Sequence, residues 1–391
     1  MKLLILLPRI PYPLEKGDKL RAFHQIKVLA EHFDIVLLAS GNSKEISSEA
    51  YNTLKPYCSE IYFFRQNKIC RAWHTFRFFI AGKPLQTGYF YSAKAQKLIR
   101  KKVKQKSIDH IYCQLFRTAE MLKNIHIPKT IDYQDAFSVS MKKRMKATRG
   151  LKKMLLAIEY NRVKKYEKTI YSWFDHHTII SESDREHLNM PDLHVVRNGV
   201  DIDFFQADPK VEKKYELIFS GNMSYLPNVH TAVYLAKEVM PLIWDQAPET
   251  TLVLAGASPD KAVRQLAGKN IVVTGWVNDI REVYNQSKVF IAPMQIGTGL
   301  QNKILEAMAM QLPSITSEAA WKPIGAEKDK ELQIAGSAQE YADKAVQLLK
   351  DQEKRRETGE YARNFVSRNF DWKACTHKLV RIIENPSGKE S

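Results

Sequence analysis

The sequence predicts an α/β fold with two Rossmann-like, doubly wound parallel-sheet domains that face each other across a cleft. The chain has 391 residues, which exceeds the size of one ordinary hydrophobic core. Short apolar runs alternate with longer amphipathic stretches, a pattern typical of parallel sheets covered by helices. The alternation pauses at the polar residues 198–213 and then resumes. We therefore predict an N-terminal domain at residues 1–200 and a C-terminal domain at residues 201–370, with a helix near 371–385 that packs back on the first domain.

The alternation assigns the elements of each half in chain order. Strands, read as short apolar runs, are predicted at residues 3–7, 34–38, 61–64, 108–113, 130–133, 217–220, 251–255, 271–274, 289–292 and 314–316. Helices, read as longer amphipathic stretches, are predicted at residues 19–32, 46–57, 93–106, 140–171, 230–245, 261–267, 303–310, 338–349, 354–369 and 372–383. Ligands of such sheets bind beyond the carboxyl ends of the strands. We therefore look for chemistry in the loops that follow the strands.

The net charge of +17 is concentrated in the first half of the chain. Residues 1–185 contain 35 Lys and Arg against 16 Asp and Glu, whereas the remainder contains 25 against 27. Such a one-sided basic domain indicates contact with a polyanion. We predict that the N-terminal domain binds an anionic membrane surface and no nucleic acid. A solvated, solubilising face is the alternative.

Residues 71–106 add a second indication of lipid contact, because they interleave basic side chains with aromatic ones. The aromatic residues are Trp73, Phe76, Phe78, Phe79, Tyr89 and Tyr91. No run is long enough to be a signal core or to span a bilayer; residues 3–7 are the nearest approach. We expect a cytoplasmic protein that is peripheral on the inner face of the membrane. The four cysteines lack metal-ligand or redox spacing and are interpreted as structural thiols.

The loop after the predicted strand at 289–292 is the richest in candidate ligands. Gly297 and Gly299 allow the backbone to approach a ligand closely. The helix that follows offers free amide hydrogens, a partial positive charge and the ammonium of Lys303, all suited to a phosphate. Glu306, one turn on, could accept hydrogen bonds from ribose hydroxyls. A helix cap with a surface lysine is the alternative.

Two more loops have the same placement. Gly221 follows the predicted strand at 217–220, and a proline-rich loop at residues 8–21 follows the first strand and leads through Gly17 into a helix. Asp132 and Asp135 lie at or just after the end of the strand at 130–133. We predict that these two carboxylates orient the hydroxyl of an acceptor, with a strand-end cap as the alternative.

These loops, in this order, resemble the retaining glycosyltransferases of family 4, which have the GT-B fold of two facing Rossmann-like domains. The blocks that carry the resemblance are residues 8–21 with Gly17 and Arg21, residues 198–201 followed by Phe204, Gly221, and residues 303–310 followed by Pro313. The resemblance covers nearly the whole chain. Within the family, residues 11–21 and 301–303 are most similar to sugar transferases associated with exopolysaccharide gene clusters.

The resemblance implies roles for individual residues in binding a nucleotide-sugar donor. Lys303 would contact the diphosphate and act in catalysis, and Glu306 would hold the ribose. The remaining implied donor-binding residues lie on loops of both domains: Gly17, Arg21, Gly221, Asn222, Trp276, Val277, Gly297, Thr298, Gly299 and Leu300. The chain departs from the family at three positions, with Thr298 in place of a glutamate, Asn222 in place of an arginine and Pro227 in place of a lysine. Lys303 would then carry more of the positive charge at the diphosphate.

The activity that the resemblance implies is a retaining, metal-independent hexosyl transfer. The donor would be a UDP- or GDP-linked sugar bound as substrate, with no cofactor, and the acceptor would be a glycan or lipid-linked glycan of cell-surface or exopolysaccharide synthesis. Asp201 and Asp203 form an Asp-x-Asp pattern that other glycosyltransferases use for metal, and we interpret it here as a structural turn. A non-catalytic nucleotide-sugar-binding partner, a basic nucleic-acid-binding protein and a nucleotide-sugar epimerase are the alternatives.

Overall fold

The computed structural model describes residues 1–14, 16–43, 45–65, 67–146, 148–295 and 300–385. The chain forms two compact units. The N-terminal unit comprises Met1–Asn198 together with the chain from Cys375 onward, and the C-terminal unit comprises Gly199–Ala374. Each unit carries a parallel sheet with helices between its strands, so the predicted fold class of two parallel-sheet α/β domains is confirmed.

In the described part of the N-terminal unit, seven parallel strands form a sheet in the order β3-β2-β1-β4-β5-β6-β7. The strands are β1 (Lys2–Leu7), β2 (Asp34–Ser40), β3 (Glu60–Phe64), β4 (His110–Gln114), β5 (Lys129–Asp132), β6 (His176–Ile179) and β7 (Leu193–Val195). The helices are α1 (Gly17–Leu29), α2 (Ser48–Leu54), α3 (Lys68–Ile80), α4 (Leu85–Phe90), α5 (Ala93–Lys104), α6 (Phe137–Lys146), α7 (Gly150–Tyr171) and α8 (Glu182–Leu188). A 3₁₀ segment, Phe116–Leu122, follows β4.

β1 occupies the centre of this sheet because its side chains are apolar on both faces. The five residues from Leu3 to Leu7 are fully buried. Leu4 pairs with Val36 of β2 on one side and with Ile111 of β4 on the other. A strand covered on both faces is a continuous apolar run rather than an alternation. The loop after β1 is thereby fixed at the middle of the carboxyl edge.

In the described part of the C-terminal unit, six parallel strands form a sheet in the order β10-β9-β8-β11-β12-β13. The strands are β8 (Tyr215–Ser220), β9 (Leu252–Ala255), β10 (Ile271–Gly275), β11 (Ser287–Ala292), β12 (Ser314–Thr316) and β13 (Gln333–Ile334). The helices are α9 (Leu226–Tyr234), α10 (Met240–Trp244), α11 (Lys261–Arg264), α12 (Ile280–Asn285), α13 (Asn302–Ala309), α14 (Glu318–Trp321), α15 (Ala338–Lys350) and α16 (Gln352–Asn369). One more helix, α17 (Trp372–Glu384), is shared by the two units. β8 and β11 are neighbours, which brings the loops that follow them to one edge.

The last helix, α17, begins in the C-terminal unit and continues into the N-terminal unit. Its Leu379, Val380 and Ile383 are buried in the apolar core that also contains Leu3 and Ile5 of β1. Among the described helices of the chain, none is both long and apolar enough to cross a membrane.

Two predicted helices are interrupted. The stretch at 140–171 divides into α6 and α7 because Gly150, at the start of α7, has φ of +65°, which a continuing helix does not allow. The stretch at 230–245 contains a π-helical turn at Leu235–Val239. This wider turn precedes Pro241 of α10, whose ring would clash with a carbonyl of the preceding regular turn.

A buried ion pair joins α1 to the end of β5 in the N-terminal unit. Arg21 donates from Nε to Asp132 at 2.7 Å and from a terminal nitrogen to the other carboxylate oxygen at 3.2 Å. The guanidinium also donates to the Asn198 side chain at 2.9 Å and to the Val196 carbonyl at 3.0 Å. Tyr112 donates its hydroxyl to Asp132 at 3.0 Å. Both charges are buried, so the pair holds α1 against the sheet. The bonds to Val196 and Asn198 also hold α1 against the segment that follows β7.

We predict that Asp132→Asn lowers the free energy of unfolding by about 3–5 kcal/mol, because it leaves the buried Arg21 cation uncompensated. Asp34→Asn is the matched control, since Asp34 forms a solvent-accessible pair with Lys2 at 3.4 Å. It should change the free energy of unfolding by less than about 1 kcal/mol. Urea unfolding of both variants measures the difference. Equal, small changes would show that the Arg21–Asp132 pair does not stabilise the unit.

Candidate active site

The ammonium of Lys303 is held in place at the carboxyl edge of the C-terminal sheet. Lys303 lies in the first turn of α13, and its Nζ donates to the side-chain oxygen of Asn228. The same Nζ lies 4.8 Å from the centre of the Phe219 ring, which belongs to β8. Asn228 is buried in the first turn of α9 and donates to the carbonyl of Asn222 at 2.8 Å. The cation is therefore positioned by its neighbours rather than free to sample solvent.

Glycine is required beside this cation. Gly221 has φ of +147°, a conformation that L side chains rarely adopt. A Cβ at this position would lie 2.7 Å from Nδ2 of Asn228 and 3.0 Å from Nζ of Lys303. Gly256, with φ of +142°, is packed even more closely, since a Cβ there would lie 1.9 Å from the carbonyl oxygen of Gly221. The two glycines bring bare backbone to the edge where Lys303 points.

Glu306 lies one turn after Lys303 on α13, and its carboxylate is held by a buried tyrosine. Tyr284 of α12 donates its hydroxyl to Glu306 at 3.2 Å and makes a 2.8 Å hydrogen bond with Ser220 at the end of β8. Tyr284 is fully buried. The carboxylate thus has a fixed position and an oxygen left to accept further hydrogen bonds.

The two charges share a poorly hydrated environment. Burial lowers the pKa of Lys303 to about 8, although the nearby Glu306 carboxylate acts in the opposite direction. Burial also raises the pKa of Glu306, against the hydrogen bond from Tyr284 and the charge of Lys303. A cation that has lost part of its hydration interacts strongly with an arriving anion. Together with the amides at the start of α13, this arrangement suits a phosphate group beside a polyhydroxyl ligand.

Three of the candidate residues before α13 lie outside the described residues: Gly297, Thr298 and Gly299. Leu300 is described, and it packs against the core of the C-terminal unit. Trp276, directly after β10, is 71% exposed, whereas Val277 packs against that same core. A donor contact for these six residues stays a prediction.

Asn222 and Pro227, which stand where the family that the sequence resembles has an arginine and a lysine, have local structural roles. The Asn222 side-chain oxygen accepts from the backbone N–H of Ser224 at 3.0 Å and from its hydroxyl at 2.8 Å. Pro227 is buried in the first turn of α9, where its missing N–H is not needed. Lys303 is thus the lysine that the structure brings to Gly221.

In the N-terminal unit the candidate residues differ in exposure to solvent. Gly17 is the exposed first residue of α1, and no atom lies within 4 Å of a Cβ built there. The side chains of Arg21 and Asp132 are instead occupied by their ion pair and by hydrogen bonds within the unit. Their placement argues against a direct contact of Arg21 with a donor or of Asp132 with an acceptor, because neither side chain reaches solvent. We revise both assignments to structural roles.

Asp135 keeps contact with solvent beyond the end of β5. Partial burial of its carboxyl group, together with the nearby carboxylates of Asp184 and Asp132, raises its pKa to about 6, while Arg117 acts in the opposite direction. It remains a candidate to orient an acceptor hydroxyl, and that role stays a prediction.

Arg117, in the 3₁₀ segment after β4, was not among the residues predicted from the sequence. Its Nε is buried without a hydrogen-bond partner among the described residues. The guanidinium carbon lies 5.5 Å from the centre of the Phe90 ring and 5.7 Å from that of Phe137. Applying the rule of strand carboxyl ends to β4, as it was applied to β5, would have identified this residue. It adds a cation to the edge that Asp135 occupies.

The Asp-x-Asp pattern forms a turn, as interpreted from the sequence. Asp201 accepts a hydrogen bond on its side chain from the N–H of Phe204 at 3.0 Å. Across the described ranges, no group of three or more His, Cys, Asp or Glu side chains is placed to hold a metal ion. The four cysteines, all within those ranges, form no disulfide there.

Comparison with known proteins identifies the domain that carries Lys303. Residues 214–351 match the family model described as Glycosyl transferases group 1. An uncharacterized 44.6 kDa protein in the cps region of Klebsiella pneumoniae is 22% identical over 404 residues, which cover 97% of this chain and 99% of that protein. An uncharacterized glycosyltransferase of Methanocaldococcus jannaschii is 24% identical over 213 residues, covering 50% of this chain and 54% of that protein.

Solved structures resemble this chain over the length of both units. A glycosyltransferase from Rickettsia africae superposes with a TM-score of 0.67 at 13% identity and covers 100% of this chain and 99% of its own. Anabaena HepE in complex with UDP superposes with a TM-score of 0.64 at 15% identity and covers 98% of this chain and 100% of its own. At these identities the likeness shows the GT-B fold. The chain therefore contains a glycosyltransferase group 1 domain at residues 214–351, which confirms the enzyme class predicted from the sequence.

Proposed function

We propose that this protein transfers a sugar from a UDP- or GDP-linked donor to a glycan or lipid-linked acceptor during polysaccharide synthesis. The observation that carries the proposal is the fixed, partly dehydrated ammonium of Lys303 beside the bare backbone of Gly221, with the Glu306 carboxylate one turn away. The ammonium and the accessible backbone are suited to bind a diphosphate, and the carboxylate is suited to accept hydrogen bonds from ribose hydroxyls.

Two relatives support the substrate classes. HepE of Anabaena has been solved with UDP and with UDP-glucose, and it shares the fold of this chain. The similar protein of Klebsiella pneumoniae is described by its place in the cps region. The HepE complexes support a nucleotide-sugar donor, and the cps-region protein supports a role in polysaccharide synthesis.

The proposed reaction depends on charge stabilisation at the leaving group. Transfer breaks the bond between the anomeric carbon and the diphosphate, so positive charge develops on the sugar and negative charge on the departing phosphate. The Lys303 ammonium and the amides that begin α13 are oriented before the reaction and would stabilise that negative charge. Because these groups supply positive charge themselves, we propose a reaction that needs no metal ion and no cofactor. Retention of the anomeric configuration follows the family that the sequence resembles.

The acceptor would be oriented by the N-terminal unit. Asp135 is a solvent-accessible carboxylate at the carboxyl edge of that sheet, and Arg117 lies close enough to influence its pKa. A carboxylate there could accept a hydrogen bond from the acceptor hydroxyl, while the guanidinium would favour an acceptor that carries negative charge.

We predict that Lys303→Ala lowers kcat/KM for the donor by about 10²–10³-fold, because one preorganised donor of positive charge is lost at the leaving group. Lys288→Ala is the matched control, since Lys288 of β11 pairs at the surface with Glu216 at 3.1 Å and lies away from Gly221. Donor hydrolysis and transfer, measured with UDP-, GDP- and ADP-sugars and with a chelator present, test both variants. Full activity of folded Lys303→Ala would contradict the proposal. Donor binding by the wild-type chain without any turnover would instead favour a non-catalytic partner.

The pKa of Lys303 predicts a pH dependence. An amine is charged below its pKa, so kcat/KM for the donor should be at its plateau below pH 8 and fall as the pH rises through about 8. Well above this pKa, kcat/KM should fall about tenfold per pH unit, as expected when the free enzyme loses one proton. Lys303→Arg should remove this alkaline fall, because a guanidinium stays charged over the whole range. An unchanged alkaline fall in Lys303→Arg would assign the titration to another group.

A further inference from the structure

The N-terminal unit exposes a continuous apolar face on α3. Ile69, Trp73, Phe76 and Ile80 recur at intervals of four, three and four residues, which places them on one side of a helix. Ile69 is 76% exposed and Trp73 is 60% exposed, and the other two are also exposed. The opposite side of α3 is the packed one, where Phe78 is buried and its ring lies 5.2 Å from that of Tyr91. Phe78 therefore belongs to the interior and not to the interfacial set predicted from the sequence.

The first half of α7 presents a second face of the same kind. Leu151, Met154, Leu155 and Ile158 recur at intervals of three, one and three residues and are all exposed, Leu151 by 70%. The sequence analysis assigned no surface role to these residues.

The two helices belong to one surface because their neighbouring residues are in contact. The Arg162 guanidinium of α7 lies 4.0 Å from the centre of the Phe79 ring of α3. Glu159 of α7 accepts a hydrogen bond at 2.7 Å from the N–H of Leu85, which begins α4 directly after α3. We call the four residues of α3 and the four residues of α7 given above the two-helix surface.

On α3 and the first half of α7 the charges are positive, apart from that of Glu159, whose carboxylate accepts the N–H of Leu85. Lys68 and Arg77 of α3 and Lys152 and Lys153 of α7 are exposed. Neither α3 nor residues 150–158 of α7 contain an acidic residue. Apolar side chains that are exposed together along a helix face, rather than singly, indicate an interaction surface. Pairing two copies of this surface would bring like charges together, which opposes self-association.

We propose that the two-helix surface inserts into an anionic lipid bilayer. Aromatic and branched side chains on one helix face, with lysine and arginine beside them, are suited to lie in the headgroup region of a membrane. The apolar residues would enter the acyl boundary while the cations contact lipid phosphates. Two helices joined by Arg162–Phe79 and Glu159–Leu85 contacts offer a broader and more rigid surface than one amphipathic helix. The surface belongs to the N-terminal unit, whereas Lys303 and its neighbours belong to the C-terminal unit, so it can be tested independently of the proposed transfer reaction.

The test is co-sedimentation of the full chain with vesicles of equal parts phosphatidylglycerol and phosphatidylcholine, compared with vesicles of phosphatidylcholine alone. The wild-type chain should bind the anionic vesicles at low salt, and binding should weaken at high salt. Trp73→Gln combined with Phe76→Gln, and separately Leu151→Gln combined with Leu155→Gln, should each weaken binding by about an order of magnitude or more. Lys152→Gln and Lys153→Gln should each weaken it roughly fivefold.

Tyr51→Gln is the matched control, since Tyr51 is an exposed aromatic residue on α2, outside the two-helix surface, and should leave binding unchanged. A cooperative urea-unfolding transition close to that of the wild-type chain would show that each variant is folded. Absence of binding to anionic vesicles, or full binding by the α7 variant, would overturn the proposal. Concentration-dependent dimerisation that the same substitutions abolish would also overturn it, because the surface would then be an interface between copies of the chain.

Discussion

The hydrogen bond between the Lys303 ammonium and the Asn228 side chain is the contact on which the candidate site depends. It holds a cation with little hydration against the Phe219 ring and the bare backbone of Gly221. The bond does not neutralise the lysine, so the charge remains available to an anion. A lysine extended into solvent would lose side-chain entropy on binding and would meet a diphosphate in a high dielectric. The position of the ammonium is therefore the property that gives this edge of the sheet its chemistry.

The fold supplies that position through close backbone packing. β8, β9 and β11 end at one edge, and the approach of Gly256 to the Gly221 carbonyl leaves no room for side chains there. Tyr284 connects the same edge to Glu306 through a buried hydroxyl that also bonds to Ser220. The N-terminal unit uses a different device, because its corresponding edge contains the closed Arg21–Asp132 pair. The carboxyl edge of the C-terminal sheet thus offers the Lys303 ammonium to a ligand, whereas the corresponding edge of the N-terminal sheet contains an internal ion pair.

Local signals were sufficient to predict the two sheets and the helix that carries Lys303 and Glu306. A glycine-containing loop after an apolar strand, leading into a helix, can be recognised within a dozen residues. The partners that position these side chains could not be predicted in this way, since Asn228 is 75 residues from Lys303 along the chain. The same limit explains Arg21, whose carboxylate partner lies 111 residues away and turns a suspected ligand contact into an internal one. The face of α7 was missed because its apolar spacing equals that of a buried helix, and exposure is a property of the folded chain alone.

The most direct test of this account is a crystal structure of the full chain in complex with UDP or GDP. The account predicts diphosphate oxygens within hydrogen-bonding distance of Nζ of Lys303 and of the backbone at the start of α13, with ribose hydroxyls on the Glu306 carboxylate. A nucleotide bound elsewhere on the chain, with Lys303 still bonded only to Asn228, would contradict it.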